Sequence, residues 1–194
     1  MNTIVLAAGA SRRFGPANKL LAQAPARPLI VITVARVLQA TRGPVTLVVG
    51  YQSRRLIATL ARHGLISRRL RIVRNPCPRA GLAHSLGHGL RAAPRLDSAL
   101  LIHLGDIPTV SRHCLTALAR ACRHGALAAR TDGDRGPGHP VRVARAAIPA
   151  RSGADDAGLR AGLAALGHTQ FVHMPCSSTS ADDIDTRQMI RTRN

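Results

Sequence analysis

Short apolar segments typical of buried strands alternate along this chain with segments whose apolar residues recur at helical spacing. A strand, a helix and a further strand in succession favour parallel pairing, because the helix provides the crossover that parallel strands need. The faces of such a sheet are covered by helices, which explains strands that are apolar throughout. The pattern predicts an α/β fold with a mainly parallel sheet, and the length of 194 residues suits one domain over residues 1–194.

The boundaries of these segments follow from turn residues and apolar spacing. Strands are predicted at 3–7, 45–49, 70–74 and 99–104, with weaker patterns at 126–130, 140–143 and 170–174. Helices are predicted at 28–39, 53–62, 82–92, from an N-capping Ser111 to about residue 122, at 156–166 and at 186–192.

Two loop regions carry further expectations. Ligands of parallel sheets bind beyond the carboxyl ends of the strands, so the loops at 8–18, 75–85 and 105–110 should share one cleft. The polar, glycine-rich segment Thr131–Gly138 is predicted to be a loop.

The chain is strongly basic, with 28 basic and nine acidic residues and a formal net charge of +19. Such a charge attracts polyanions. The arginines are scattered, however, and aromatic residues, which stack on bases in single-strand binders, make up only 2% of the chain. We therefore favour a compositional bias towards arginine, which also suits a nucleotide substrate, and do not expect a nucleic-acid partner.

The four cysteines form no Cys-x-x-Cys pair, and no apolar run approaches the roughly 20 residues of a membrane span. The short apolar N-terminal run has no basic segment before it. We expect reduced thiols, a cytoplasmic location and no membrane partner.

Residues 6–19 (LAAGASRRFGPANK) directly follow the first predicted strand. Small residues there let backbone amides approach a ligand, and cations follow, as in polyphosphate-binding loops. Lys19 stands out because it is the one lysine in an arginine-rich chain, and arginine does not freely replace it. An ordinary strand-to-helix connection is the alternative. The predicted nucleotide-binding residues here are Leu6, Ala7, Ala8, Gly9, Ser11, Arg13 and Lys19.

Three other segments can carry chemistry. Asp106 lies just past a buried strand, where it is either a Mg²⁺ ligand or a cap of the following helix. Asp183 and Asp185 lie in an acidic turn that either binds metal or caps the last helix. Gly81 and Ser85 open a predicted helix, where they either contact an anion or a base or form a simple turn.

In this order, the segments resemble motifs of the MobA-like nucleotidyltransferases, in particular those related to molybdenum cofactor cytidylyltransferase. Residues 6–19 fit the pattern LAAGxSxRxGxxxK. Gly81 with Ser85–Leu86 resembles a Gly-x-x-x-Ser-Leu block, and Asp106–Pro108 resembles an Asp-x-Pro metal motif. Gly138–Pro140 resembles a Gly-His-Pro turn, and Asp183–Thr186 resembles a closing Asp-x-Asp-Thr.

The resemblance implies a Rossmann-like, three-layer fold of the nucleotide-diphospho-sugar transferase type, with Mg²⁺ and a nucleoside triphosphate. It makes Arg13, Lys19 and Asp106 catalytic, gives the metal to Asp106 with Asp183 or Asp185, and places Gly81 and Ser85 at the base or ribose. The Ala-Ala-Gly form favours CTP over GTP, whose enzymes usually carry Ala-Gly-Gly.

The implied acceptor is a phosphorylated molecule such as molybdopterin, and a molybdoenzyme or chaperone is the corresponding protein partner. Two segments depart from the family pattern: 153–160 reads GADDAGLR instead of Gly-Asp-x-Gly-Ala-Arg, and Arg-Gln-Met follows Thr186 instead of Pro-Glu-Asp. A sugar, polyol or phospholactate-type phosphate as acceptor therefore stays open, as does a non-catalytic nucleotide-binding protein.

Overall fold

The computed structural model describes residues 1–9, 14, 17–24, 26–95, 97–108, 110–120, 128–133, 136–148 and 171–175. Within these ranges the chain forms one seven-stranded sheet with the strand order β3-β2-β1-β4-β6-β5-β7. The strands are β1 (Asn2–Ala7), β2 (Val45–Val49), β3 (Leu70–Arg74), β4 (Ala99–Leu104), β5 (Ala128–Gly133), β6 (Gly136–Ala144) and β7 (Phe171–Pro175).

Four α-helices lie in the described ranges: α1 (Leu29–Ala40), α2 (Ser53–Arg62), α3 (Leu82–Ala92) and α4 (Arg112–Arg120). The predicted bounds of β2, β3, β4, α2 and α3 are confirmed. Pro28 precedes α1 with extended backbone angles instead of belonging to its first turn. Ser111 caps α4 as predicted, since its hydroxyl oxygen accepts a hydrogen bond of 3.1 Å from the Cys114 amide.

Pairing along the sheet is mainly parallel, as the strand–helix alternation predicts. The four strands β3, β2, β1 and β4 pair in parallel with one another, and β5 pairs in parallel with β7. Strand β6 runs antiparallel to both β4 and β5. The mainly parallel α/β fold is therefore confirmed.

The prediction of a loop at Thr131–Gly138 is wrong for the residues that the structure describes. Thr131–Gly133 belong to β5 and pair with Gly136–Gly138 of β6, after a register shift between Arg130 and Thr131. Pairing uses only backbone groups, so a glycine-rich segment with no apolar pattern can still form a strand once its neighbour is in place. The end predicted for α4 beyond Arg120 and the helices predicted at 156–166 and 186–192 lie outside the described residues.

Two apolar clusters form the core, one on each face of the sheet. The first packs α1, α2 and α4 against side chains such as Val5 of β1, and the second packs α3 against the opposite face, which includes Ile4. Helix α3 approaches closely at Gly89, where an added Cβ would lie 2.7 Å from Ile4 Cγ2. Helices on both faces of one sheet give the three layers that the sequence implied.

The expectation of reduced thiols is only partly met. Cys77 is free and exposed. Cys114 is disulfide-bonded in the structure, so for this residue the expectation is wrong. Within the described ranges, no helix is both long and apolar enough to span a bilayer.

Candidate active site

A cleft of about 310 Å³ opens at the carboxyl ends of the central strands. Leu6, Ala8 and Gly9 line it from the end of β1, and Leu104 and Asp106 line it from the end of β4. Segment 78–85, which leads into α3, forms the remaining wall. The predicted convergence of three loops in one cleft is therefore confirmed.

Backbone contacts bring the end of β1 into this cleft. An added Cβ at Gly50, just after β2, would lie 2.6 Å from the Ala8 carbonyl oxygen and 2.8 Å from Pro78 Cβ, so only glycine fits there. The Tyr51 amide donates a hydrogen bond of 3.2 Å to the same Ala8 carbonyl. The sequence analysis missed Gly50, although a glycine closing a predicted strand beside the cleft is a usable signal.

Gly9, unlike Gly50, is not required by packing in the part of the chain that the structure describes. It is exposed, and an added Cβ would meet no atom of the described residues within 4 Å. Packing within the described residues therefore does not require glycine at this position. A bare backbone facing a cleft is what close approach of a ligand requires.

The turn that carries Asp106 is held from two sides. The Gly105 amide donates a hydrogen bond of 2.8 Å to the Leu6 carbonyl, which ties the turn to β1. From α1, the Thr33 hydroxyl donates a hydrogen bond of 2.9 Å to the Gly105 carbonyl, and the Arg36 guanidinium donates a hydrogen bond to the Pro108 carbonyl. The sequence analysis missed Thr33 and Arg36, because nothing in their spacing shows that α1 packs beside this turn.

Lys19 and Asp106 form an ion pair between Nζ and Oδ2. Their side chains are 12% and 18% exposed, so solvent screens the pair far less than it would screen a surface pair. The two residues that were singled out as phosphate ligand and metal ligand thus lie in direct contact.

Asn18 fixes the main chain at Lys19. Its carboxamide oxygen accepts a hydrogen bond of 3.0 Å from the Leu20 amide, and its NH₂ group donates 3.1 Å to the Tyr51 carbonyl. Asn18 is 2% exposed and caps a short 3₁₀ turn at Lys19–Leu21. This role was also missed, although Asn before a helical turn is a familiar cap signal.

The wall before α3 is organised by the buried Asn75, which is not among the predicted site residues. Its NH₂ group donates 3.0 Å to Ser85 Oγ, and its oxygen accepts 2.9 Å from the Cys77 amide and lies 3.0 Å from His84 Nδ1. Ser85 Oγ in turn donates 3.2 Å to the Gly81 carbonyl. The Ser85 hydroxyl therefore stabilises the wall through its hydrogen bonds to Asn75 and Gly81. Gly81, at φ 96°, allows the turn into α3.

His103 lies beneath the Asp106 turn on β4 and is 2% exposed. Burial, followed by the nearby His139, lowers the pKa of His103 to about 3, against the opposing effect of a hydrogen bond with the Ile107 backbone. The side chain is therefore neutral at physiological pH.

The remaining predicted site residues, Ser11, Arg13, Asp183 and Asp185, lie outside the described residues, as does segment 153–160. Their assignments stay predictions. Of the predicted residues that are described, Leu6, Ala8, Gly9, Gly81, Ser85 and Asp106 line the cleft, Ala7 is buried at the end of β1, and Lys19 contacts Asp106.

Several solved structures share this fold. Rv0371c from Mycobacterium tuberculosis H37Rv is 20% identical with a TM-score of 0.81, and the match covers 98% of this chain and 95% of that one. The same protein also matches as a complex with manganese. A nucleotidyl transferase from Methanothermobacter is 23% identical with a TM-score of 0.82, over 99% of this chain and 95% of that one.

A third match is 4-diphosphocytidyl-2C-methyl-D-erythritol synthase from Anaerococcus prevotii DSM 20548. It is 17% identical with a TM-score of 0.74, over 100% of this chain and 95% of that one. No curated protein sequence matches this chain. The family model of the MobA-like NTP transferase domain matches residues 3–171. The chain therefore belongs to the family of MobA-like NTP transferase domains and has the nucleotide-diphospho-sugar transferase type of fold that its sequence implied.

Proposed function

We propose that this chain is a Mg²⁺-dependent nucleotidyltransferase that moves CMP from CTP onto a phosphorylated acceptor such as molybdopterin and releases pyrophosphate. The observation that carries the proposal is the contact of Lys19 with Asp106, which lines the same cleft of a MobA-like domain as the bare backbone of Gly9. Lys19 provides a cation for the phosphates, and Asp106 provides a carboxylate for the metal. The backbone at Gly9 allows the ligand to approach closely.

The residues present fit a divalent metal. Asp106 lines the cleft, and its carboxylate is already paired with a cation, the ammonium of Lys19. Among the described residues there is no group of three or more His, Cys, Asp or Glu side chains that could enclose an ion. Asp106 itself suits Mg²⁺, which takes one or two carboxylates and keeps water and phosphate oxygens as its other ligands.

Asp106, with Asp183 or Asp185, would hold the metal. When bound, the ion neutralises negative charge on the phosphate oxygens. The manganese complex of the mycobacterial relative concerns that protein, and it supports testing Mn²⁺ beside Mg²⁺ here.

In the proposed reaction, an acceptor phosphate oxygen attacks the α-phosphorus of CTP. The new P–O bond forms as the bond from the α-phosphorus to the bridging oxygen of the β-phosphate breaks, and the electron pair leaves with pyrophosphate. The attacking oxygen is already anionic, so no strong general base is needed, and positioning and charge compensation dominate. The backbone at Ala8 and Gly9 would hold the phosphates, while Lys19 and Arg13 would offset charge on the leaving group.

The nucleotide and the acceptor rest on different support. CTP is favoured by the Ala-Ala-Gly form at Ala7–Gly9, and Gly81 and Ser85 belong to the wall that would face the base or ribose. The name of the Anaerococcus relative supports a polyol phosphate as a second candidate acceptor. A molybdoenzyme or chaperone partner, one domain over residues 1–194 and a cytoplasmic location stay predictions.

The decisive experiment measures pyrophosphate release with each of the four nucleoside triphosphates against molybdopterin and against sugar, polyol and phospholactate-type phosphates, with Mg²⁺ or Mn²⁺. We expect the highest rate with CTP and molybdopterin and none in EDTA. A polyol phosphate as best acceptor would move the assignment to the second candidate. CTP binding without pyrophosphate release from any pair would instead indicate a non-catalytic nucleotide-binding protein.

A further inference from the structure

The ammonium of Lys19 contacts the carboxylate of Asp106, which is the group that would bind a divalent metal. Its Nζ contacts Asp106 Oδ2 directly, and both side chains are more than four-fifths buried. A carboxylate at this depth needs a counter-ion, and within the described residues Lys19 provides it.

A divalent ion and an ammonium compete for this position. Both are cations, and at contact distance in a partly buried site their mutual repulsion is strong. Metal binding at Asp106 is therefore opposed for as long as the Lys19 ammonium stays on the carboxylate.

The main chain on both sides of the ion pair is held in place by hydrogen bonds. Asn18, itself buried, fixes the main chain through its bonds to the Leu20 amide and the Tyr51 carbonyl, and the Ala22 amide donates 3.0 Å to the Lys19 carbonyl. The Asp106 turn is likewise held by Thr33 and Arg36. The ammonium, in contrast, sits at the end of a four-carbon stem with several rotatable bonds.

We propose that Lys19 is an exchangeable counter-ion that withholds Asp106 from divalent metal until a triphosphate draws its ammonium away. This inference rests on the proposed function, because it assigns the phosphates as the second partner of Lys19. It makes metal and nucleotide bind cooperatively, and by linkage each raises the affinity of the other by the same factor. Metal without nucleotide binds weakly.

The first test titrates the protein with Mn²⁺ alone and measures free Mn²⁺ by electron paramagnetic resonance. Lys19→Met should bind Mn²⁺ at least ~10-fold more tightly than wild type, because the competing cation is gone. Lys19→Arg keeps a cation beside the carboxylate and should stay close to wild type. In Lys19→Met/Asp106→Asn the gain should disappear.

Arg79→Met is the matched control. Arg79 lines the same cleft, and among the described residues no ion pair joins it to Asp106. Its loss removes the same unit of charge but leaves Lys19 on the Asp106 carboxylate. We therefore expect the Mn²⁺ affinity to change by less than ~3-fold, from general electrostatics alone. An equal gain in Arg79→Met, or no gain in Lys19→Met, overturns the proposal.

A second test needs no variant. Because Lys19 is the one lysine of the chain, labelling with ¹³Cε-lysine gives a single side-chain NMR signal. We expect the α,β-methylene analogue of CTP, added in EDTA, to shift this signal, and Mg²⁺ alone to leave it in place. A shift with Mg²⁺ alone, or none with the analogue and none with inorganic tripolyphosphate, contradicts the exchange.

These measurements separate the two proposals. A Mn²⁺ gain in Lys19→Met with no pyrophosphate release from any substrate pair would leave the counter-ion exchange standing and remove the transferase assignment. Normal turnover in wild type, with no gain in Mn²⁺ affinity in Lys19→Met, would leave the transferase assignment standing and remove the counter-ion exchange.

Discussion

At the scale of single residues, the contact between Lys19 and Asp106 joins two observations that the sequence offers separately. Lys19 was notable as a lone lysine, and Asp106 as a carboxylate after a buried strand. Sequence left Asp106 open between a metal ligand and a helix cap. In the structure Asp106 lies at the cleft in contact with Lys19, and the N-cap of α4 is Ser111, whose hydroxyl oxygen accepts a hydrogen bond from the Cys114 amide.

Removing either member of this pair should stop the proposed reaction. We expect Lys19→Ala and Asp106→Ala each to lower turnover at least ~100-fold, about 2.7 kcal/mol of activation free energy, because charge compensation at the phosphates is lost. Lys19→Arg should also be impaired, since guanidinium does not reproduce a compact ammonium. The measurement is steady-state pyrophosphate release, with thermal unfolding to confirm a folded chain. Arg54→Ala, exposed on α2, is the control, and near-normal turnover in Lys19→Ala would exclude the assigned role.

His103 makes stability depend on pH. Its pKa is about 3 in the folded chain and 6.5 when unfolded, so the unfolded state binds the proton first as pH falls. The stability is fully present above about pH 7 and is lost progressively from pH 6.5 towards pH 3, by about 2 kcal/mol at pH 5. Urea unfolding at pH 8 and pH 5 measures this loss. His103→Gln cannot titrate, so an equal loss in that variant would show that other groups cause it.

At the scale of elements, most strands and helices followed from local patterns, including parts of β5 and β6, whereas the pairing of Thr131–Gly133 with Gly136–Gly138 did not. The central strands are apolar runs closed by glycine or Asn-Pro, so their bounds are local. The β5–β6 pairing depends on backbone hydrogen bonds to a neighbouring strand, which leave no side-chain pattern at Thr131–Gly138. The parts played by Asn75 and α1 in the cleft left no pattern in the sequence either, because each depends on which loop packs beside it.

Two glycines of neighbouring loops should respond in opposite ways to the same substitution. Gly50→Ala forces a Cβ against the Ala8 carbonyl, so we expect a loss of about 1–3 kcal/mol in unfolding free energy. Gly9→Ala projects into open space and should leave stability unchanged but weaken CTP binding. Denaturant unfolding and calorimetric CTP titration measure the two effects. A marked stability loss in Gly9→Ala would mean that the glycine serves packing instead of the ligand.

At the scale of the whole molecule, the charge is distributed unevenly along the chain. The first 120 residues contain two acidic side chains, and both are paired: Asp106 with Lys19, and Asp97 with the N-terminal ammonium at 3.5 Å and the Asn2 amide at 2.6 Å. Several arginines bind backbone carbonyls, as Arg69 does at Leu38 and Gly43, both at 3.1 Å. Arg79 lines the cleft, and further arginines are exposed on α2 and β3, so the described surface is electropositive.

This field should accelerate capture of an anionic substrate. We expect kcat/KM for CTP to fall as ionic strength rises, with kcat nearly constant, because salt screens encounter more than it screens the closed site. Turnover measured across a series of potassium chloride concentrations tests this. Duplex DNA binding in the same series should be weak. Tight duplex binding with a steep salt slope would instead favour the nucleic-acid role that we do not expect.

The sequence alone determined the layered α/β architecture, the strand ends where a ligand is expected and the residues to suspect there, because burial and helical spacing are local properties of side chains. Only the tertiary structure decided that Lys19 meets Asp106, that Asn18 and Asn75 hold the walls of the cleft, and that the Ser85 hydroxyl serves the Gly81 carbonyl. These contacts join residues distant along the chain, and their partners are set by how helices pack on a twisted sheet. Residue spacing carries no record of that packing.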